Sequence, residues 1–276
     1  MSKADDIFIG MCRDILDNGF SSEGQAVRAR WGDGAPAHTL KRFGVVNRYD
    51  LGDEFPALTL RPTPLRLCVD ELLWIWQKKS NRIAELSSRI WDSWADENGT
   101  IGKAYGYQLG VKYRFGHGET DQVDNVLWQL KNTPYSRRIM TNIFNFQDLH
   151  EMGLEPCAYS MTFNVTAGRL NAILNQRSQD VLTANSWNVV QYSVLLCMFA
   201  QASGFEPGEL VHVIADAHIY DRHIPLIREL IDRPAFPAPR FVMNPGIKDF
   251  YAFTPDDVSF EDYRTGPQIK GIPIAI

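Results

Sequence analysis

Cysteine is scarce in this sequence and forms no pattern. Cys12, Cys68, Cys157 and Cys197 lie far apart with no C-x-x-C pair, which excludes a disulfide-stapled scaffold and a thiolate zinc site of ordinary spacing. Free thiols in a reducing cytoplasm are the expectation. No apolar run approaches the roughly 18 residues that read as a membrane span. The opening "MSKADDIFIGMCRDILDNGF" is charged and has no continuous apolar centre, so a signal peptide is not expected. Excess positive charge is missing too. A net charge of −5 argues against a general nucleic-acid coat, while leaving room for a small basic pocket around one phosphate. Repeats, low-complexity tracts and linkers are absent from the 276 residues, 45% of which are hydrophobic. One domain spanning 1–276, with ample material for a core, is the expectation.

What is present reads as helices and strands without regular βαβ alternation. Ile7, Phe8, Met11, Cys12, Ile15 and Leu16 make a helical stripe stopped at Asn18-Gly19. Residues 20–42 are polar, rich in Gly and Arg, and read as loop. "PLRLCVDELLWIWQ" is too apolar for a surface helix and reads as a buried one. "DQVDNVLWQLKNTP" is another helix, ended by Pro134. "YSMTFNVTAGRLNAILNQRS" predicts a hairpin around Ala167-Gly168. "WNVVQYSVLLCMFAQASG" predicts a long buried helix closed by Gly204, "ELVHVIADAHIY" a strand, and 222–232 a short helix. Such a mixture predicts an α+β fold.

Cys157 follows Pro156 at the head of an alternating run. Proline fixes its own φ and keeps Glu155 out of the helical region, so the thiol falls where a loop enters a strand. A lone cysteine is commonly an inert core residue, a role that suits Cys68 and Cys197 inside apolar helices. For Cys157 to act as a nucleophile, a nearby cation must favour its thiolate. Arg177 in "NQRSQD" is a candidate. With Ser178 it makes a phosphate holder, a guanidinium fork beside a hydroxyl; a surface salt bridge to Asp180 is the alternative. Arg137 and Arg138 in "PYSRRIM" form a second basic pair, which reads equally as a solvated start of a strand. In "ADAHIYDRH", His218 and Tyr220 lie two apart on a strand and share a face, which suits recognition of a sugar hydroxyl. No H-E-x-x-H or paired Cys/His spacing supports a metal at Asp216, His218 or His223. "GHG" at 116–118 neither follows a strand nor opens a helix, so no dinucleotide site is expected.

Taken in order, "ELLWIW", "IWDSWADENGTIG", "AYG", "SRRI", "PC", "QRSQDV", "WNVVQY", "DAHIYDRH" and the final "IPIAI" resemble thymidylate synthases over nearly the whole chain. The resemblance implies a large mixed β-sheet covered by helices, with one sheet face at a homodimer interface. It implies an enzyme that methylates dUMP, with 5,10-methylenetetrahydrofolate as carbon donor and reductant and with no metal, flavin or NAD. Cys157 would add to C6 of uracil. Arg177, Ser178 and Arg28 would hold the 5′-phosphate, with Arg30 competing for the last of these roles. Arg137 and Arg138 would reach the phosphate site of the partner subunit. Asn188 would bond the uracil edge, donating to O4 and accepting from N3–H. His218 and Tyr220 would hold the 3′-hydroxyl. Glu71 would manage protons and Tyr105 would assist proton removal at C5. Asp180, Ile90, Trp91, Trp94, Leu154, Ala184, Trp187 and Ile276 would contact the folate.

The chain departs from that pattern at Ala158, where many members carry histidine, at Thr162, at Phe144, and in "LTANSWN" at 182–188. The last change alters the folate wall and keeps a rival open, a deoxyuridylate hydroxymethylase in which water captures the methylene. A non-catalytic nucleotide-binding or RNA-binding regulator is a rival of another class; the acidic charge allows at most weak RNA binding.

Overall fold

Ser2 caps the first helix, accepting the Asp5 N–H at 3.1 Å, and α1 runs Lys3–Asn18. The computed structural model describes residues 1–276. Two strands follow, β1 (Phe20–Ser21) and β2 (Thr39–Asp50), then α2 (Leu65–Trp76) and the short α3 (Gly106–Gly110). A small hairpin, β3 (Tyr113–Phe115) and β4 (Gly118–Thr120), leads to α4 (Gln122–Asn132) and β5 (Met140–Asn142). The centre of the fold is β6 (Ala158–Thr166), β7 (Arg169–Gln176), β8 (Gln179–Asp180), α5 (Asn185–Ser203) and β9 (Glu206–Tyr220). The chain closes with α6 (Ile224–Ile231), β10 (Arg240–Met243) and β11 (Val258–Glu261).

The main sheet has seven strands in the order β1-β2-β9-β7-β6-β5, with β8 also paired to β9. It is mixed, because β7 and β9 run parallel while β2–β9, β7–β6 and β6–β5 are antiparallel. One face packs on α5, which is buried around almost its whole circumference; hence "WNVVQYSVLLCMFAQAS" carries no one-sided stripe. Gly204, at φ 79°, ends it in the left-handed conformation that glycine adopts without strain. The opposite face of the sheet has no helix over it. Val46 (53% exposed) and Ile173 (40%) stand there, with Val211 and Val213 between them half-buried.

Three readings of the sequence are corrected. Residues 20–42 are not all loop: Phe20–Ser21 and the start of β2 belong to the sheet. β2 escapes notice because "TLKRFGVVNRYD" turns one side to the uncovered face, so its apolar residues do not alternate cleanly; Phe43 is 92% exposed. Arg137 and Arg138 do not begin a strand. They occupy a turn ahead of β5, and both are exposed. "GHG" at 116–118 does follow a strand, contrary to expectation: Gly116-His117 turn the β3–β4 hairpin and Gly118 begins β4, so the segment opens a strand and not a helix.

The topology gathers the polar ends. β7 and β9 are parallel, so their C-terminal ends, Gln176 and Tyr220, face the same way. β6 and β2 run opposite to these neighbours and bring their starts, Ala158 and Thr39, to the same edge. The first turn of α5 opens there as well.

Candidate active site

Cys157 precedes β6 and is half-buried beside the end of β7. Its carbonyl accepts the Arg177 N–H at 2.9 Å. The Arg177 guanidinium wraps the same loop, donating through Nε to the Pro156 carbonyl (3.0 Å) and through Nη2 to the Glu155 carbonyl (2.7 Å). Arg177 is therefore tied to the cysteine loop, and the alternative salt bridge to Asp180 is not made. Burial pushes the Cys157 thiol up; the Arg177 charge, a hydrogen bond from Tyr105 and the charge of Arg28 pull it back. The other thiols lack that opposition, and burial alone takes Cys197 to about 12.

Tyr105 is built for this contact. Its hydroxyl accepts the Cys157 N–H at 3.1 Å, which directs its own proton toward the sulfur. The residue sits at φ 43°, a left-handed conformation costly for a tyrosine. Gly106 behind it is held by crowding, since a Cβ there would lie 2.4 Å from the Ser80 carbonyl oxygen.

Glu71, on α2, is fully enclosed. Its carboxylate accepts Trp91 Nε1–H at 2.7 Å, Gln191 Nε2–H at 2.9 Å and the Trp187 indole N–H. Burial raises its pKa against these donors, which favour the charged form. Trp187 and Gln191 lie one turn apart on α5, a spacing that puts both on one face. Gln191 was not singled out from the sequence, although that spacing was available. Trp187 thus fills the altered segment 182–188 with an indole fixed on Glu71. Trp91 is buried and meets Trp94 and Tyr105 edge-on. Trp94, Leu154 and Ala184 are half-buried and Ile90 is exposed.

Asn188 is on the first turn of α5, its N–H bonded to the Ala184 carbonyl. Its Oδ1 accepts Gln176 Nε2–H at 3.3 Å, with Gln179 Nε2 at 3.5 Å. Asp180 is satisfied locally by the N–H groups of Leu182 and Thr183 and by the Thr183 hydroxyl (2.6 Å). Burial opposes its charge, yet His223 and these donors hold the carboxyl below its ordinary range. His218 and Tyr220 share a face of β9 as expected, ring centroids 5.0 Å apart, and His218 Nδ1 lies 2.8 Å from Asp216 Oδ1.

Between Arg28 and Arg30 the structure separates the two. Arg28 is the nearer charge, felt at both Cys157 and Tyr220. Arg30 donates to the Val27 carbonyl and exchanges two backbone hydrogen bonds with Ile276, at 2.7 and 2.9 Å. Trp31 anchors the loop, its indole donating to Asp221 at 3.0 Å. Arg137 and Arg138 stand apart from this cluster, their side chains without an ion pair or hydrogen bond in the chain.

A profile described as thymidylate synthase matches residues 6–275. The chain belongs to the thymidylate synthase family. It is 44% identical over 274 residues to the thymidylate synthase of Bacillus phage phi3T, covering 98% of each chain. It is 43% identical, at the same coverage, to thymidylate synthase 1 of Bacillus subtilis strain 168. Among solved structures it superposes on the thermostable thymidylate synthase A from Bacillus subtilis with a TM-score of 0.94 and 41% identity, covering 99% of both chains. The Cys157 loop and its Arg177 clasp lie where β6 begins and β7 ends, and the enclosed Glu71 stands on α2 against the first turns of α5.

Proposed function

We infer that this protein is a methyltransferase converting dUMP to dTMP, with 5,10-methylenetetrahydrofolate as co-substrate. The observation that carries the reading is the Cys157 loop clasped by Arg177, with Tyr105 and Arg28 acting on the sulfur, in a chain of this family.

Arg28, Arg177 and Ser178 hold the phosphate; Arg177 Nη1 makes no bond within the chain and remains for an oxyanion. His218 and Tyr220 take the sugar hydroxyl. Asn188 donates to uracil O4, where enolate charge develops after the Cys157 sulfur adds to C6; a fixed donor there lowers the barrier. That addition makes C5 a carbon nucleophile. When bound, 5,10-methylenetetrahydrofolate supplies the carbon and then a hydride, and leaves as dihydrofolate. Tyr105 assists removal of the C5 proton. Glu71, enclosed yet surrounded by donors, stores or returns a proton near the base. The walls formed by Trp91, Trp94, Leu154, Ala184 and Trp187, with Ile90 at the rim, exclude water. Asp180 orients the pterin, and Ile276 closes over it.

A second copy of the chain packs on the uncovered sheet face, burying Val46 and Ile173, and receives Arg137 and Arg138 at its phosphate site. The enzyme works in the cytoplasm, where its thiols stay reduced.

The test combines purified protein, dUMP and methylenetetrahydrofolate, follows dihydrofolate by absorbance and weighs the nucleotide product. Dihydrofolate with dTMP is expected, and none from Cys157→Ala. Full turnover by that variant would remove Cys157 from the mechanism. A 5-hydroxymethyl product without dihydrofolate would replace reduction by hydration.

A further inference from the structure

His212 lies in the middle of β9, fully buried, and the mechanism above does not use it. Its Nε2 is 2.8 Å from Gln176 Oε1, while its Nδ1 has no partner. Gln176 Nε2 in turn donates to the Ser178 carbonyl at 3.0 Å and to Asn188 Oδ1 at 3.3 Å. Three side chains thus form a hydrogen-bonded line from the core to the base site.

The polarity of that line is fixed by chemistry. A peptide carbonyl only accepts, so the Gln176 atom facing Ser178 is the NH2 group. The Gln176 oxygen therefore faces His212, and the histidine carries its proton on Nε2. Nδ1 is then a bare lone pair, which needs no acceptor. The second N–H of Gln176 meets Asn188 Oδ1, as does Gln179 Nε2 at 3.5 Å, so that oxygen turns inward and does not serve as the acceptor expected for uracil N3–H. The Asn188 NH2 group, with no hydrogen bond inside the chain, is left to face the base. Across the sheet Ala158 pairs with Gln176, so no polar side chain from β6 competes for the glutamine oxygen.

We propose that His212 is a positioning residue that sets the amide direction of Gln176 and Asn188, and with it the preference for uracil over cytosine. The proposal rests on the assignment of Asn188 to the base. An NH2 group aimed at position 4 matches the uracil carbonyl and opposes the cytosine amino group. Reversing both amides would present an oxygen and reverse that preference. The Ser178 carbonyl holds the same polarity from the other side, so losing His212 weakens the bias without abolishing it.

The experiment measures kcat and KM for dUMP and the inhibition constant of dCMP in the wild type, His212→Phe, His212→Gln and His212→Asn. The glutamine amide reaches the place of Nε2, whereas the asparagine amide reaches that of Nδ1. Discrimination against dCMP is expected to fall about tenfold in the Phe and Asn variants and to return in the Gln variant. Equal discrimination in Phe and Gln variants would overturn the proposal, because a packing role predicts no rescue by hydrogen-bond geometry. Asn188→Asp separates the two readings. If it shifts the preference toward dCMP while His212→Phe does not, only the role of His212 fails; if it shifts nothing, the base assignment fails. Should the Phe variant not fold, the 15N shifts of His212 in the wild-type enzyme decide. A proton on Nε2 is expected, and a proton on Nδ1 would overturn the proposal.

Discussion

Tyr105 shows how much one side chain does at this site. Its hydroxyl fixes the cysteine backbone and stabilises the thiolate, at the expense of an unfavourable φ. Tyr105→Phe removes both effects and leaves the ring packed on Trp91. The half-point of iodoacetamide alkylation at Cys157 is expected to move to higher pH, because the lost hydrogen bond lowered the thiol pKa. Turnover is expected to fall by about 10²-fold, as for loss of a positioned acid–base group; an unmoved alkylation profile would show that the hydroxyl does not act on the sulfur. Much of this scale was legible in the sequence. The positions of Cys157, Arg177 and the His218/Tyr220 pair come from short polar motifs at the ends of apolar runs, where a loop or cleft has to begin, whereas Asn188 is reached only through the family resemblance. Gln176, Gln191 and His212 were not legible. Gln191 and His212 lie inside apolar runs and Gln176 in the "NQRSQD" motif; the bonds Gln191–Glu71 and Gln176–His212 join residues far apart in sequence, which leaves only the Trp187–Gln191 spacing as a local signal.

At the scale of elements, the β6–β7 hairpin turns through two residues of positive φ, Ala167 at 50° and Gly168 at 77°. Such a turn favours Asn-Gly or Gly-Gly. Ala167 pays the left-handed penalty with nothing in return, and Ala167→Asn is expected to stabilise the enzyme by about 0.5–1 kcal/mol in urea unfolding without changing turnover. β9 carries a titrating group in its middle. Burial holds His212 down to about 3, from an ordinary value of 6.5. Below pH 6.5 the unfolded chain binds a proton there that the native chain refuses, so stability falls as pH drops toward 3. His223 works in the opposite sense and above this window: burial opposes its charge, but Asp180 and the Pro273 carbonyl raise it, so its contribution fades as pH rises past 6.5. Unfolding at pH 5 and 6 is expected to differ by up to about 1.4 kcal/mol, and His212→Phe is expected to flatten that slope. α1, α4 and the β6–β7 hairpin could be read from periodicity, because each has one covered face; α2 and α5, enclosed on most sides, could be read only as long apolar runs. β2 could not, because half of it faces outward from the uncovered side of the sheet.

At the scale of the molecule, the Cys157 loop and Arg177 clasp each other while the Arg137 and Arg138 side chains bond to nothing in the chain. If they serve a partner's phosphate site, two inactive variants can complement each other. Mixing Cys157→Ala with Arg138→Glu under conditions of subunit exchange is expected to restore about a quarter of wild-type activity, since half the dimers are mixed and each has one complete site. No recovery would place Arg138 in its own subunit's site, or outside any site.

The paired backbones of Arg30 and Ile276 carry a consequence for the order of events. Arg28 lies two residues from that joint, and Trp31 pins the chain just beyond it. With Arg28 on the phosphate and Ile276 over the folate, as proposed, a nucleotide that steadies Arg28 steadies the tail, and a settled tail steadies Arg28 by the same free energy. Each substrate is then a witness to the other: the protection that dUMP gives the tail against carboxypeptidase equals, in logarithm, the affinity for dUMP lost when the tail is removed.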